Sequence, residues 1–256
     1  MSYKFYYSSV KGTSHEKTGT LKQDDINVKS FIFDDKEYLI SAVADGAGTA
    51  KYSNISSNFI CKFLVKKMTK WISINSIKNF SKEILCSWIE QWQKILTRYI
   101  KIRKLPSTRD FATTILFSVL SDEMNIFAQI GDGSIVAGNA EDLNCVFLPQ
   151  KGEYANTTHF ATEENFNMYL MFNKNTENIE RVAMHTDGIE MISLIKLEKP
   201  SLGFFNPFFD ALKEEHLGFN EDLSEELSEF LSSDRVNKRT NDDKTLIIIV
   251  KEGPNG

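Results

Sequence analysis

Apolar and polar positions change rhythm several times along the chain. Residues 3–10, rich in Tyr, Phe and Val, predict a first strand, and residues 11–25 form a polar stretch without apolar periodicity. Residues 30–33 and 38–44 predict a hairpin turning around Asp34-Asp35-Lys36-Glu37. From residue 53 to residue 102 the period becomes helical. Phe59, Phe63 and Met68, then Ile84, Trp88, Trp92, Ile95 and Tyr99, predict two long amphipathic helices with a break near residues 73–76. Residues 113–120, 125–130 and 134–138 return to strand composition, with 145–148 as a further candidate. Two short strands at 168–172 and 181–185 precede helices at 189–195, 207–217 and 223–231, and residues 245–250 predict a closing strand.

The order runs strands, long helices, strands, short helices, strand. It suits an α+β layered domain better than a doubly wound parallel sheet, in which strands and helices alternate. No internal repeat or low-complexity linker interrupts it, so residues 1–256 are expected to form a single domain. Apolar residues make up 41% of the chain and charged residues 25%, a globular composition. The net charge of −5 argues against a sequence-independent nucleic-acid binder. Lysines cluster at residues 62–70 and 94–104, but apolar residues interleave them at helical spacing, so both clusters read as solvated helix faces. Cys61, Cys86 and Cys145 are isolated and suggest neither a zinc knuckle nor a disulfide framework. The first residues lack a signal-peptide profile and no window is apolar enough to span a bilayer. The expectation is a cytoplasmic protein without a membrane or nucleic-acid partner.

The chemistry-bearing residues are aspartates placed where strands run out. Asp24 and Asp25 follow Gln23; Asp45 ends the apolar run 39–44 and precedes Gly46; Asp132 lies between Gly131 and Gly133; Asp187 precedes Gly188; Asp242 and Asp243 precede the last strand. A carboxylate at a strand end has its backbone fixed while its side chain reaches an open edge, and a neighbouring glycine admits close approach. Hard cations take oxygen ligands, so scattered aspartates without histidines suit Mg²⁺ or Mn²⁺ better than zinc. Singly, each Asp-Gly is also an ordinary turn dipeptide. The signal is the ordered set.

That set is Gln23-Asp24, Val43-Ala44-Asp45-Gly46-Ala47-Gly48, Thr113-Thr114, Ile130-Gly131-Asp132-Gly133, Thr186-Asp187-Gly188 and Asp242-Asp243-Lys244-Thr245. It resembles the successive motifs of the PPM/PP2C metal-dependent protein serine/threonine phosphatases. With Ser14-His15 and Thr49-Ala50-Lys51-Tyr52-Ser53 it is similar to a bacterial branch of that family. The resemblance implies an α-β-β-α sandwich, two antiparallel sheets flanked by helix pairs, with a metal cluster at one end. Carried over by position, Asp45 bridges two Mn²⁺ or Mg²⁺ ions and the Gly46 carbonyl is a further ligand. Asp24 acts through metal-bound water, Asp187 and Asp242 complete the two-metal site, and Asp132 with Asp187 holds a third, weaker ion. Asp25 and Asp243 are the alternatives to Asp24 and Asp242. The implied reaction is hydrolysis of phosphoserine and phosphothreonine in proteins by a metal-activated water, with Asp45, Asp187 and His15 in catalytic roles. Phosphoprotein substrates, a cognate serine/threonine kinase and a monomeric state go with it.

Two departures stand out. Ala47 occupies the place of a histidine that serves many eukaryotic relatives as general acid, and no arginine precedes Arg98, so the family's phosphate-binding arginine is missing. His15, Lys17 or Lys22 can supply a cation instead, as a point charge in the lysines' case. His185 reads as structural or outer-shell, and His159 and His216 have no supporting neighbours in sequence. A haloacid-dehalogenase-like phosphatase would need a second Asp where Ala47 stands. The remaining alternative is a PPM-fold pseudophosphatase that binds phosphoproteins without turnover.

Overall fold

The computed structural model describes residues 2–150 and 158–253. In chain order the elements begin with β1 (Tyr3–Val10), α1 (Thr13–Thr18), β2 (Asp25–Phe33), β3 (Lys36–Ala44), α2 (Ser53–Ile72) and α3 (Lys82–Arg103). They continue with β4 (Ile115–Ser121), β5 (Asn125–Ile130), β6 (Ser134–Gly138), β7 (Leu143–Cys145), α4 (Phe166–Tyr169), β8 (Met171–Asn175) and β9 (Arg181–His185). The last part holds α5 (Glu190–Ser193), β10 (Leu194–Ile195), β11 (Lys199–Pro200), α6 (Leu202–Ala211), β12 (Gly218–Phe219), α7 (Glu221–Ser232), α8 (Asp234–Asn237) and β13 (Lys244–Lys251).

The chain divides into two units, each built from separated segments. The first takes the described residues of Met1–Asp24, Gly133–Pro149 and Glu177–Gly256. Its six-stranded sheet runs β12-β1-β13-β9-β6-β7 and is antiparallel except where β12 joins β1 in parallel. Tyr6, Val136, Ala183, Leu246 and Ile248 face α6 and α7, where Phe205, Phe209, Leu227 and Leu231 close a buried core. The short β10–β11 hairpin also belongs to this unit.

The second unit spans Asp25–Asp132 and the described residues of Gln150–Thr176. Its antiparallel sheet runs β2-β3-β4-β5-β8. Tyr38, Ile40, Ala42, Phe117, Val119 and Ile126 alternate onto one face, as period-two patterning requires. That face packs against Ile60, Leu64 and Met68 of α2 and Leu85, Trp88, Trp92 and Leu96 of α3.

The α+β class and the long helices are as the sequence predicts. Several elements differ: the strand expected at 145–148 is β7 at Leu143–Cys145, that at 168–172 is split between α4 and β8, and the helix expected at 189–195 gives way to β10 after Ser193. Residues 11–25 contain α1, a short helix whose single buried residue is His15 and which ends on Gly19 in the left-handed region (φ 71°). The hairpin turns on Asp34-Asp35 alone, both at positive φ (51° and 56°), the two-residue geometry that matches strand twist. α6 begins at Leu202 and runs through Pro207, although a proline interior to a helix removes a hydrogen bond; burial of Phe205 and Phe209 outweighs that loss.

Trp92 is fully buried beside Phe59, and its indole N–H has no partner among the described residues. Replacing it with alanine is expected to cost about 3–5 kcal/mol of unfolding free energy. Trp92→Phe should cost clearly less, since both variants lose the unpaired donor but the phenyl ring refills part of the volume that alanine leaves empty. Urea denaturation of both variants checks the order; equal losses would mean that the filled volume at this site does not set its contribution.

Candidate active site

Within the second unit, Asp45 follows the last residue of β3 and Asp132 stands two residues after β5. Both are half-buried, and they bring carboxylate oxygens within 4.8 Å of one another. The backbone of Asp45 is held by the two threonines that precede β4. Asp45 N–H donates to Thr114 Oγ1 at 2.9 Å, while Thr114 N–H and Thr113 Oγ1 donate to the Asp45 carbonyl at 2.8 and 3.0 Å. Gly46 pairs with Thr113 in an isolated bridge.

Thr114 also explains the glycine before Asp132. Gly131 has φ +113°, and a Cβ there would lie 2.5 Å from the Thr114 methyl carbon. One buried threonine thus fixes Asp45 by a hydrogen bond and packs against the turn that presents Asp132. Gln150 locks the same turn, accepting from Gly131 N–H at 2.8 Å and donating its own N–H to the Gly131 carbonyl at 3.2 Å.

Within the first unit, Asp243 is the organising residue. It is buried and accepts from four donors: Gly12 N–H at 2.7 Å, Gln23 N–H at 2.5 Å, Asp24 N–H at 3.4 Å and the His15 ring at Nδ1, 2.9 Å away. Asp24 is buried as well, its Oδ2 accepting from Thr186 Oγ1 at 2.8 Å and Thr245 Oγ1 at 2.7 Å. Asp187 is half-buried and opens a 3-10 turn directly after Thr186. Gly188 is obligatory there, because a Cβ would meet the Asp243 carbonyl oxygen at 1.9 Å. Asp242 is exposed, its Oδ1 accepting from Asp243 N–H. Lys244, fully buried, donates to Asn237 Oδ1 at 2.8 Å; burial lowers its pKa, and Asp243, Glu16, Asp242 and Asp24 pull it back up.

These placements sort the sequence candidates. Asp45, Gly46 and Asp132 come together in one unit, while Asp24, His15, Asp187 and Asp242 gather around Thr186, Thr245 and Asp243 in the other. Asp25 is tied to its own neighbour Ile26 and to Asn58. Lys22 is engaged by Ser9, and Lys17 is exposed. His159, which the sequence leaves without company, stacks on Tyr169 with ring centroids 3.4 Å apart and has Glu163 Oε2 at 3.8 Å. Thr114, Gln150 and Asp243 are the residues that sequence reasoning did not pick out for these positioning roles.

The family model for protein phosphatase 2C matches residues 11–232. The chain belongs to the protein phosphatase 2C family. It is 32% identical over 253 residues to serine/threonine-protein phosphatase 3 of Escherichia coli (strain K12), covering 97% of this chain and 98% of that one. Among solved structures it is similar to serine/threonine phosphatase Stp1 from Staphylococcus aureus, with a TM-score of 0.63 at 14% identity over 97% of this chain and 95% of that one. It is also similar to the catalytic domain of the serine/threonine phosphatase PstP in complex with two manganese ions, with a TM-score of 0.64 at 11% identity over 98% and 99%. The α+β fold is that of these bacterial phosphatases, and the family is one of protein serine/threonine phosphatases.

The end of β9 generates a pH prediction. His185 is fully buried, its Nδ1–H donating to the Thr186 carbonyl at 2.9 Å and its Nε2 accepting from Ser193 Oγ at 3.0 Å. Burial lowers its pKa to about 4, only partly opposed by the Thr186 carbonyl. The unfolded chain takes up a proton near pH 6.5 while the folded chain refuses it down to about 4, so this contribution is complete above 6.5 and is lost as the pH falls through that window. Wild-type unfolding free energy should therefore drop between pH 6.5 and 4 more steeply than that of His185→Gln, by about one proton's slope. Parallel slopes in denaturant titrations would contradict a neutral His185.

The threonine clasp generates a second. Thr114→Val keeps the volume but strips the acceptor from a buried N–H, and should cost about 1–3 kcal/mol. Thermal unfolding measures it; a loss of a few tenths would place the anchor of Asp45 elsewhere.

Proposed function

We propose that this chain hydrolyses phosphoserine and phosphothreonine in proteins with divalent metal, Mn²⁺ or Mg²⁺, and that residues 1–256 act as one phosphatase domain. The observation that carries the reading is the approach of Asp45 and Asp132 to within 4.8 Å. Carboxylates that close resist joint ionisation unless a cation stands with them. The donors are oxygens without thiolate or imidazole, the set that suits a hard cation. On this reading Asp45, the Gly46 carbonyl, Asp132, Asp187 and Asp242 would be the ligands, and Asp24 would act through metal-bound water.

When bound, two such ions supply a water of lowered pKa and neutralise charge that develops on the phosphoryl oxygens. The chain's own residues do the positioning. Thr113 and Thr114 keep Asp45 from turning away, and Gln150 fixes the turn of Asp132. Asp243, saturated by four donors, is committed to holding Gly12, His15, Gln23 and Asp24. This favours Asp242 as the ligand of the pair. His15, oriented through Nδ1 by Asp243, keeps Nε2 as the ring nitrogen for a phosphoryl oxygen and stands in for the missing arginine.

On this reading the partners are phosphorylated proteins and the serine/threonine kinase that makes them, met by a monomer in the cytoplasm. No helix among the described residues is long and apolar enough to cross a membrane.

Phosphate release from a phosphothreonine peptide should require Mn²⁺. It should fall in Asp45→Asn and Asp187→Asn by more than the ~10–100-fold that loss of an outer-shell partner costs. Calorimetric Mn²⁺ binding without turnover would make the chain a pseudophosphatase, and absence of both would remove the metal assignment.

A further inference from the structure

The lysine cluster at residues 62–70 is not a plain solvated face. Lys62, Lys66 and Lys70 sit four residues apart on α2 and are all exposed, so they form one stripe along the helix. The stripe borders a groove of about 540 Å³ whose opposite wall is β2, contributing Lys29, Phe31 and Phe33. α2 contains no Asp or Glu at all, although the whole chain carries a net charge of −5. None of the four ammonium groups has a carboxylate partner among the described residues. Lys29 instead lies over the Phe31 ring, 5.4 Å from its centroid.

The wall opposite the stripe is a sheet edge. β2 is the first strand of its sheet and pairs only with β3. The two-residue turn at Asp34-Asp35 makes Phe33 and Lys36 a mutually bonded pair, so alternation directs the backbone of Phe31, Lys29 and Asn27 toward β3. Val28, Ser30 and Ile32 then point their N–H and C=O groups outward. Ile26, in the same phase, confirms it: its N–H bonds to Asp25 Oδ1 rather than to β3. An exposed edge is commonly blunted by a charge on the strand itself, which Lys29 supplies. The three lysines on α2 lie off the edge and require another explanation.

We infer that this groove docks an acidic, extended segment of a partner protein, which adds to the edge of β2 and sets carboxylates against the α2 lysines. The spacing fits the occupant. Successive lysines of the stripe are about 6 Å apart along the helix, and alternate side chains of an extended strand are about 6.8 Å apart. A segment with Asp or Glu at every second position thus meets one lysine per carboxylate, while its backbone takes the outward groups of Val28, Ser30 and Ile32. Affinity comes from the main-chain bonds and selectivity from the alternating charge, as in strand addition generally. The inference stands apart from hydrolysis, because none of these residues belongs to the carboxylate site.

Fluorescence anisotropy tests it with a labelled peptide that alternates aspartate and valine over about nine residues, roughly 30 Å when extended. Full-length protein should bind this probe, more weakly as salt rises. Lys62→Gln/Lys66→Gln should weaken binding about tenfold. So should Ser30→Pro, which removes an outward N–H at a position where an edge strand tolerates proline. Circular dichroism establishes that each variant is folded, and the lysine pair decides alone if the proline variant is not. A peptide of the same composition with its aspartates in one block should bind about tenfold more weakly. Failure of the alternating probe to bind, or binding unchanged in the lysine pair, overturns the inference. Equal binding of the block peptide removes strand addition. Tighter binding of oligothymidylate or of phosphatidylserine vesicles would assign the groove to nucleic acid or membrane instead.

Discussion

Two carboxylates held with oxygens within 4.8 Å repel one another, and the surroundings of Asp45 and Asp132 keep both backbones from yielding to that repulsion. The hydrogen bonds described above come from uncharged groups. Buried threonine hydroxyls and peptide groups fix Asp45, a glutamine side chain fixes the turn of Asp132, and a glycine lets that turn press against the Thr114 methyl group. Hydrogen bonds of this kind fix geometry and do not themselves neutralise a carboxylate.

The other unit treats its aspartates by the same means, with a different division of labour. Asp24 and Asp243 are buried and hydrogen-bonded to neighbours, while Asp187 and Asp242 stay half-buried or exposed. Thr186, directly after β9 and before Asp187, and Thr245, near the start of β13, both donate to Asp24. One interior carboxylate thereby ties the end of β9 to the start of β13 and aligns the residues that follow and precede them.

Much of this was legible in the chain. The first strand, the hairpin, both long helices and the ordered Asp-Gly motifs follow from period, turn chemistry and motif spacing, because those signals are local. Residues whose role depends on distant partners were not legible. Asp243 looks no different from Asp242 until Gly12, Gln23 and His15, more than 200 positions away, are seen to converge on it. Gln150 carries no motif, and Thr113-Thr114 has one but shows its purpose only against Asp45 and Gly131. α1 escaped because six polar residues with one buried side chain leave no periodic trace. The sequence predicts α6 from Pro207, since proline favours a first helical position, and the structure starts it at Leu202. The lysine stripe on α2 was visible as a cluster, but only sheet order shows that it flanks an edge strand.

The place of β13 has a consequence for how the protein is made. It lies between β1 and β9, near the centre of its sheet, and pairs with β1 along its whole length. Strand β1 is synthesised more than 230 residues before its long partner, residues 244–251. At about 5–20 residues per second, β1 waits on the order of ten seconds or more with that edge open. The aspartates and threonines that β13 brings into register cannot be assembled sooner. The second unit, from Asp25 to Thr176, has all its strands well before then. The nascent chain therefore completes the setting of one group of carboxylates before that of the other, and a chain stalled or clipped before residue 244 lacks a strand flanked on both sides in its sheet.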